Sequence, residues 1–302
     1  MRPEYYSDLY RRYSTYCRNY NGNRLFKIAS GASDYDYDWT EVLMKNIGHR
    51  MDGVSLHYYT VTGWSGSKGS ATEFTNDDYY WTMGKCLEIE DVLKRPKKQI
   101  ALMVDEWGTW WDQEPGSIPG HLYQQNTMRD AFVASLSLDV FHKYTDRVKM
   151  TNIAQIANVL QSMILTKDDK MVLTPTYHVF EMYNVHQDAT YLPLNLECSY
   201  KTVRDNREVP MVSATASRKD GVTHISLSNV SLDEEQEITI RLDGETIKSV
   251  NGRILTSANI DDYNTFENPG VVSPKEFNGT KISKNVLKVK LPAKSIVTLE
   301  LK

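Results

Sequence analysis

The sequence is poor in cysteine: of 302 residues only Cys17, Cys86 and Cys198 carry thiols, far apart and outside any C-x-x-C spacing. Neither a disulfide framework nor a zinc site is expected from them, and they read as buried free thiols. Long apolar runs are lacking too. Nothing approaches the roughly 20 residues that span a bilayer, and the opening Met-Arg-Pro-Glu-Tyr-Tyr has no hydrophobic stretch of a signal peptide. Read literally, the chain is cytoplasmic and has no membrane partner. Charge of one sign is not in excess either: 35 Lys+Arg against 39 Asp+Glu leave a formal net charge of -4. With no basic block, nucleic acid is not an expected partner. Internal repeats and low-complexity tracts are absent. Phenylalanine is scarce at 7, while Tyr reaches 19 and Trp 6, a bias toward aromatics with a polar handle. Such rings suit stacking on sugar faces, and they serve packing as well.

At roughly 150 residues per domain the length suggests two domains, with the change of character near residue 187. Residues 1–187 alternate strand-like and helix-like segments. Pro3 to Tyr20 carries Tyr6, Tyr10, Tyr13, Cys17 and Tyr20 at helical spacing behind a proline. Strands are expected at 25–30, 54–57, 100–105 and 151–157, the third of them in an apolar run from Gln99 to Asp105. Helices are expected at Trp39 to Ile47, Asn76 to Leu93, Gln125 to Tyr144 and around Pro175 to Val185. Strands alternating with helices of these lengths argue for a parallel sheet with helices outside it. Residues 188–302 are short β-rich runs punctuated by turns, such as Met211 to Arg218, Lys219-Asp220-Gly221, Val222 to Leu227, and Ile238 to Leu242. Val286 to Leu291 and Ile296 to Leu301 alternate with period two, the mark of strands with one buried face. This part is expected to be an antiparallel β-sandwich.

In a parallel α/β arrangement chemistry sits where strands end. The four ends here yield Gly31 to Asp36, His57-Tyr58-Tyr59, Asp105 to Trp111, and Gln155 with Asn158. Strand alternation sends Asp105 and Glu106 to opposite sides, so one of them is expected to face the site. Taken singly, each residue has a plainer reading: Glu106 a structural carboxylate, His57 a hydrogen-bonded core histidine, and Trp107, Trp110 and Trp111 core aromatics. Their convergence at successive strand ends favours a site.

The segments Val54 to Tyr59, Val104 to Trp110 and Ile153 to Val159 resemble the strand six, seven and eight motifs of glycoside hydrolase family 51, the α-L-arabinofuranosidases. Asn264-Thr265-Phe266-Glu267-Asn268-Pro269 and Leu291 to Ser295 are similar to that family's C-terminal domain. The resemblance implies the C-terminal half of a (β/α)8 TIM barrel followed by a jelly-roll-like β-sandwich, a retaining mechanism, and no cofactor or metal. The implied substrate is an arabinose-containing oligosaccharide or polysaccharide, with removal of terminal α-L-arabinofuranosyl groups from arabinan or arabinoxylan fragments. A homo-oligomer is compatible with it. By resemblance Glu106 is the nucleophile, Tyr59 and His57 position it and line the sugar subsite, Gln155 binds a sugar hydroxyl, and Trp110 is an aromatic wall. The family usually has Asn where this chain has Gly108.

A retaining glycosidase also needs an acid/base carboxyl about 5–5.5 Å from the nucleophile. The resemblance places it in an Asn-Glu pair upstream of the helix that Pro3 to Tyr20 resembles, and no such pair precedes Met1. Only four βα units are visible where a closed barrel takes about 250 residues. The expectation is therefore an N-terminally incomplete chain that is a poor catalyst by itself. Asp34, Asp36 and Asp38 follow a strand end, and a solvated or helix-capping role suits all three better than acid catalysis. Two other readings stand beside this one: a non-catalytic carbohydrate-binding remnant, and a related retaining barrel glycosidase such as a β-xylosidase or endoglucanase.

Overall fold

The computed structural model describes residues 1–33, 35–60, 75–94, 100–244, 246–283 and 286–302. Asp34 and Gln99 lie outside the described residues. In chain order the first part runs α1 (Pro3–Ser14), β1 (Ile28–Ala29), α2 (Tyr37–Ile47), β2 (Gly53–Thr60), α3 (Asn76–Leu87), α4 (Ile89–Lys94), β3 (Ala101–Thr109), α5 (Met128–Lys143) and β4 (Val148–Ile153). A hairpin of β5 (Ile164–Lys167) and β6 (Lys170–Leu173) follows, then α6 (Pro175–Tyr183). The remainder is β7 (Thr190–Tyr191), β8 (Tyr200–Val203), β9 (Arg207–Pro210), β10 (Val212–Lys219), β11 (Val222–Asn229), β12 (Gln236–Ile240), β13 (Val250–Thr256), β14 (Lys275–Glu276), β15 (Thr280–Ser283), β16 (Val286–Leu291) and β17 (Ser295–Leu301). Two units emerge: Met1–Tyr59 with Glu88–Trp107 and Tyr144–Ile153, and Thr60–Leu87 with Gly108–Lys143 and Ala154–Lys302.

In the first unit the sheet order is β1-β2-β3-β4, with β1 parallel to β2 and β3 parallel to β4. Helix α1 starts at Pro3, with Glu4 in its first turn and Arg11 and Arg12 in its last, each complementing the helix dipole. It stops at Ser14, although the tyrosine spacing runs on to Tyr20. Thr15 Oγ1 donates back to the Arg11 carbonyl at 2.8 Å, and Tyr13, Tyr16 and Tyr20 are exposed, so no packed face rewards another turn. On α2, Trp39 lies against Tyr6 of α1 with ring centroids 5.5 Å apart. The long helix expected at 76–93 is two, α3 and α4, which meet at Glu88.

The second unit holds the sandwich. A six-stranded sheet, β14-β13-β17-β11-β10-β7, and a three-stranded sheet, β12-β16-β15, are antiparallel throughout. The β10–β11 hairpin closes through Asp220 at φ 51 and Gly221 at φ 81, the positive values that a two-residue turn matching strand twist requires. Leu287, Val289 and Leu291 of β16 share one core with Ile225, Leu227, Val297, Leu299 and Leu301. Each such side chain contributes roughly 1.5–3 kcal/mol by leaving water. Strand β16 keeps one exposed face, as its alternation predicts, whereas β17 does not. Ile296 and Thr298 are buried along with Val297 and Leu299, because α5 and α6 cover the other face of the large sheet. That helical layer is partly polar. Ser228 Oγ donates to Ser135 of α5, and His186 bridges Ser217 and Ser226 at 2.7 and 2.8 Å. Among the described residues no helix is long and apolar enough to cross a membrane.

Candidate active site

Strand β2 brings His57 and Tyr59 to the same side of the sheet, two residues apart. On β3 the expected alternation fails at the residues that matter. Val104 pairs with Thr151 and Trp107 with Ile153, so three steps along β3 match two along β4 and an extra residue is absorbed between them. Asp105 and Glu106 sit in that irregular stretch, and both reach the same imidazole. Asp105 Oδ1 lies 3.2 Å from His57 Nε2, and Glu106 Oε2 lies 3.5 Å from His57 Nδ1. Both carboxylates thus meet His57, Asp105 at its Nε2 edge with a buried oxygen and Glu106 at its Nδ1 edge with a half-exposed one. The Tyr59 hydroxyl donates to Glu106 Oε2 at 2.9 Å. Glu106 is 48% exposed, which leaves the carboxylate open to a ligand. Among the described residues its Oε1 takes no hydrogen bond, so one oxygen is held and the other is not.

The opposite face of β2 is tied down by Tyr58 and Tyr35, both within the strand-end segments, and by Glu88, which no strand-end pattern marks. The Tyr58 and Tyr35 hydroxyls are 3.1 Å apart, and the Tyr35 hydroxyl donates to Glu88. Burial and the bonded Glu88 carboxylate push the Tyr35 phenol well above its usual range. The signal available for this was the alternation of Tyr58 and Tyr59 itself, which sends one ring inward behind the strand. Asp36 does cap α2, accepting from the Trp39 N–H at 3.1 Å, and Asp38 lies in that helix's first turn.

Gln155 and Trp110 belong to the second unit. The backbone N–H of Trp110 donates to the Thr60 carbonyl at 3.2 Å, and its ring is half-buried. Gln155 follows a cis peptide bond, is exposed, and is gripped through its backbone by Val159 and Met163. Asn158, at the same strand end, spends both side-chain groups on Thr166, at 2.7 and 2.8 Å, and so closes the turn into β5. Trp111 is core: its Nε1 donates to Asp130 at 2.8 Å and the Arg129 guanidinium stacks on its ring. Trp107, in the first unit, is 1% exposed and core as well.

Asp130 organises the segment that follows β3. It accepts from Thr109 Oγ1 at 2.6 Å, from Trp111, and from the Thr127 N–H at 2.8 Å, while Gln161 Oε1 accepts from the Thr109 N–H at 2.9 Å. The Thr127-x-x-Asp130 spacing, a capping-box pattern, was the sequence signal for it. Gly108 sits at φ +142, and a Cβ there would come within 3.2 Å of Gln161 Oε1, which explains why glycine suits this position. No group of three or more His, Cys, Asp or Glu side chains among the described residues could hold a metal ion.

A family model described as the α-L-arabinofuranosidase C-terminal domain matches residues 105–295, from the carboxylate pair into the last strand of the sandwich. The chain is 74% identical, over its whole length, to an intracellular exo-α-L-arabinofuranosidase of Bacteroides ovatus, of which it covers 60%. All of it superposes on the crystal structure of a glycoside hydrolase family 51 arabinofuranosidase from Xanthomonas axonopodis pv. citri, with TM-score 0.95, 43% identity and 63% of that chain covered. A family 51 α-L-arabinofuranosidase from Bifidobacterium longum shares the fold at TM-score 0.85 and 20% identity, with 100% of this chain and 64% of that one covered. The chain thus spans about three fifths of the length of these relatives.

Proposed function

The chain belongs to glycoside hydrolase family 51, the α-L-arabinofuranosidases, and from that premise we propose that its β2–β3 site is the nucleophile half of a retaining exo-acting arabinofuranosidase. Glu106 attacks the anomeric carbon through Oε1 as the glycosidic C–O bond breaks, the leaving oxygen taking a proton from the acid/base carboxyl; water, giving its proton back to that group, then displaces Glu106 from the covalent glycosyl-enzyme. Tyr59 holds Oε2, and His57 flanks it. Gln155 bonds a sugar hydroxyl and Trp110 walls the subsite. The substrates are terminal α-L-arabinofuranosyl groups of arabinan- or arabinoxylan-derived saccharides; the Bacteroides ovatus relative is named an intracellular exo-α-L-arabinofuranosidase, and cleavage is proposed to be inside the cell here too. We take the boundary between barrel part and sandwich to fall at 187–188. No residue of this chain is assigned the acid/base role. The observation that carries the reading is the 2.9 Å hydrogen bond from Tyr59 to a half-exposed Glu106 that also meets His57.

The test is hydrolysis of a panel of aryl glycosides by the chain alone and by the chain joined to the portion of the Bacteroides ovatus relative that it does not span. Only the joined protein is expected to turn over, with the α-L-arabinofuranoside favoured. Glu106→Ala is expected to abolish this turnover, and a mechanism-based arabinofuranosyl inhibitor to label Glu106. Robust hydrolysis surviving Glu106→Ala, or preference for a xyloside or glucoside, defeats the proposal. Robust Glu106-dependent hydrolysis by the chain alone would place the acid/base within it.

A further inference from the structure

The extra residue in β3 has a chemical consequence. A regular strand would turn Asp105 away from Glu106; here Asp105 reaches the far edge of the ring that flanks Glu106. Asp105 Oδ1 is shielded from water and makes no well-aligned hydrogen bond among the described residues, yet His57 Nε2 stands 3.2 Å from it. Leaving a buried carboxylate oxygen unpaired is costly, so the neighbouring ring N–H is its natural partner. Among the described residues the other groups facing His57 are Glu106 at Nδ1, Tyr59 from the same strand through Glu106, and the Ala32 carbonyl, which accepts from the His57 backbone N–H at 3.3 Å. A neutral imidazole has one N–H, and the partner at one nitrogen fixes both the tautomer and the plane of the ring.

We propose that Asp105 is a positioning residue for the nucleophile: it accepts from His57 Nε2–H and so fixes the plane of the ring that packs beside Glu106, whose Oε2 is held by the Tyr59 hydroxyl. The held oxygen is then Oε2, and Oε1 points to the sugar. This rests on the reading of Glu106 as nucleophile for its kinetic meaning, but the Asp105–His57 contact can be tested without it.

The first arm is ¹⁵N NMR of the chain labelled at its 7 histidines, with the His57 signals assigned by loss in His57→Gln. Nε2 of His57 is expected to carry the proton, and Asp105→Ala to shift the His57 ring signals while leaving the other histidines unchanged. The second arm measures kcat and KM of the joined protein. Asp105→Ala is expected to lower kcat about tenfold or more with little change in KM, the size typical of losing a residue that orients a ligand from behind. Asp105→Asn, whose Oδ1 can still accept from Nε2, is expected to restore most of it. In a His57→Ala background Asp105→Ala is expected to cost nothing further. The proposal is overturned by a His57 Nε2 without a proton, by ring signals indifferent to Asp105→Ala, or by equal losses in the Ala and Asn variants. It is overturned too by additive losses on His57→Ala. Should Asp105→Ala fail to fold, the wild-type tautomer and the Asn variant decide. Hydrolysis surviving Glu106→Ala would instead sink the nucleophile reading and leave the NMR result standing.

Discussion

Replacing Asp139 by Asn should change how stability depends on pH, and the size follows from its surroundings. Asp139 of α5 is 5% exposed and accepts from Ser213 Oγ at 2.5 Å and Tyr183 Oη at 3.0 Å. Burial raises its carboxyl from the ordinary 3.8 to about 7, against the lowering effect of those two donors. In the unfolded chain the group loses its proton near pH 4, whereas in the folded protein it keeps it to about pH 7. Between those values the folded state binds more protons, so this residue's contribution to stability is fully present below pH 4 and falls as pH rises, levelling off above 7. About three units at 1.36 kcal/mol each give roughly 4 kcal/mol as the full swing. His142 and His186 are buried nearby with pKa values lowered to about 4 and 3, and they act in the opposite sense below pH 6.5. The quantity to measure is therefore the difference between Asp139→Asn and wild type, in which the histidines cancel. Urea unfolding followed by far-UV circular dichroism from pH 4 to 8.5 should show the variant gaining on wild type by about 1 kcal/mol per pH unit up to pH 7. A difference that stays flat across that range would refute the argument that burial, rather than the two hydroxyl donors, governs this carboxyl.

Gly108→Asn should destabilise the chain by about 1–3 kcal/mol, since φ +142 strains any side chain and the new Cβ crowds Gln161; an unchanged urea midpoint would show that the backbone relaxes instead. Leu299→Ala, in the sandwich core at 0% exposure, should cost about 2–5 kcal/mol in the same assay, and a loss below 1 kcal/mol would mean the core collapses around the gap.

How much of this was legible in the sequence differs from residue to residue. The apolar runs before His57 and Asp105 are strands because every side chain on them has to be buried, and the residues ending those runs are the ones that meet: Tyr59 and Glu106 share a hydrogen bond at 2.9 Å. Lys219-Asp220-Gly221 announced a hairpin because few residues adopt the backbone angles it needs. Helix α6 was marked by its own capping Thr174 and Pro175. These signals are local, carried by neighbours along the chain. What tertiary structure decided was which surfaces get covered and how strands register. Nothing in Ile296 to Leu301 says that helices close its second face; α5 and α6 come from residues far upstream. The period of tyrosines from Pro3 to Tyr20 promises a longer helix than the packing sustains. Of three tryptophans after Glu106, Trp107 and Trp111 went into the core and Trp110 stayed half-exposed, a choice made by the Asp130 network for Trp111 and by burial for Trp107. Above all, the side on which Asp105 emerges depends on one extra residue taken up against β4, a strand more than forty residues away. Strand period fixes which side chains can share a face, and only the partner strand fixes where that period breaks.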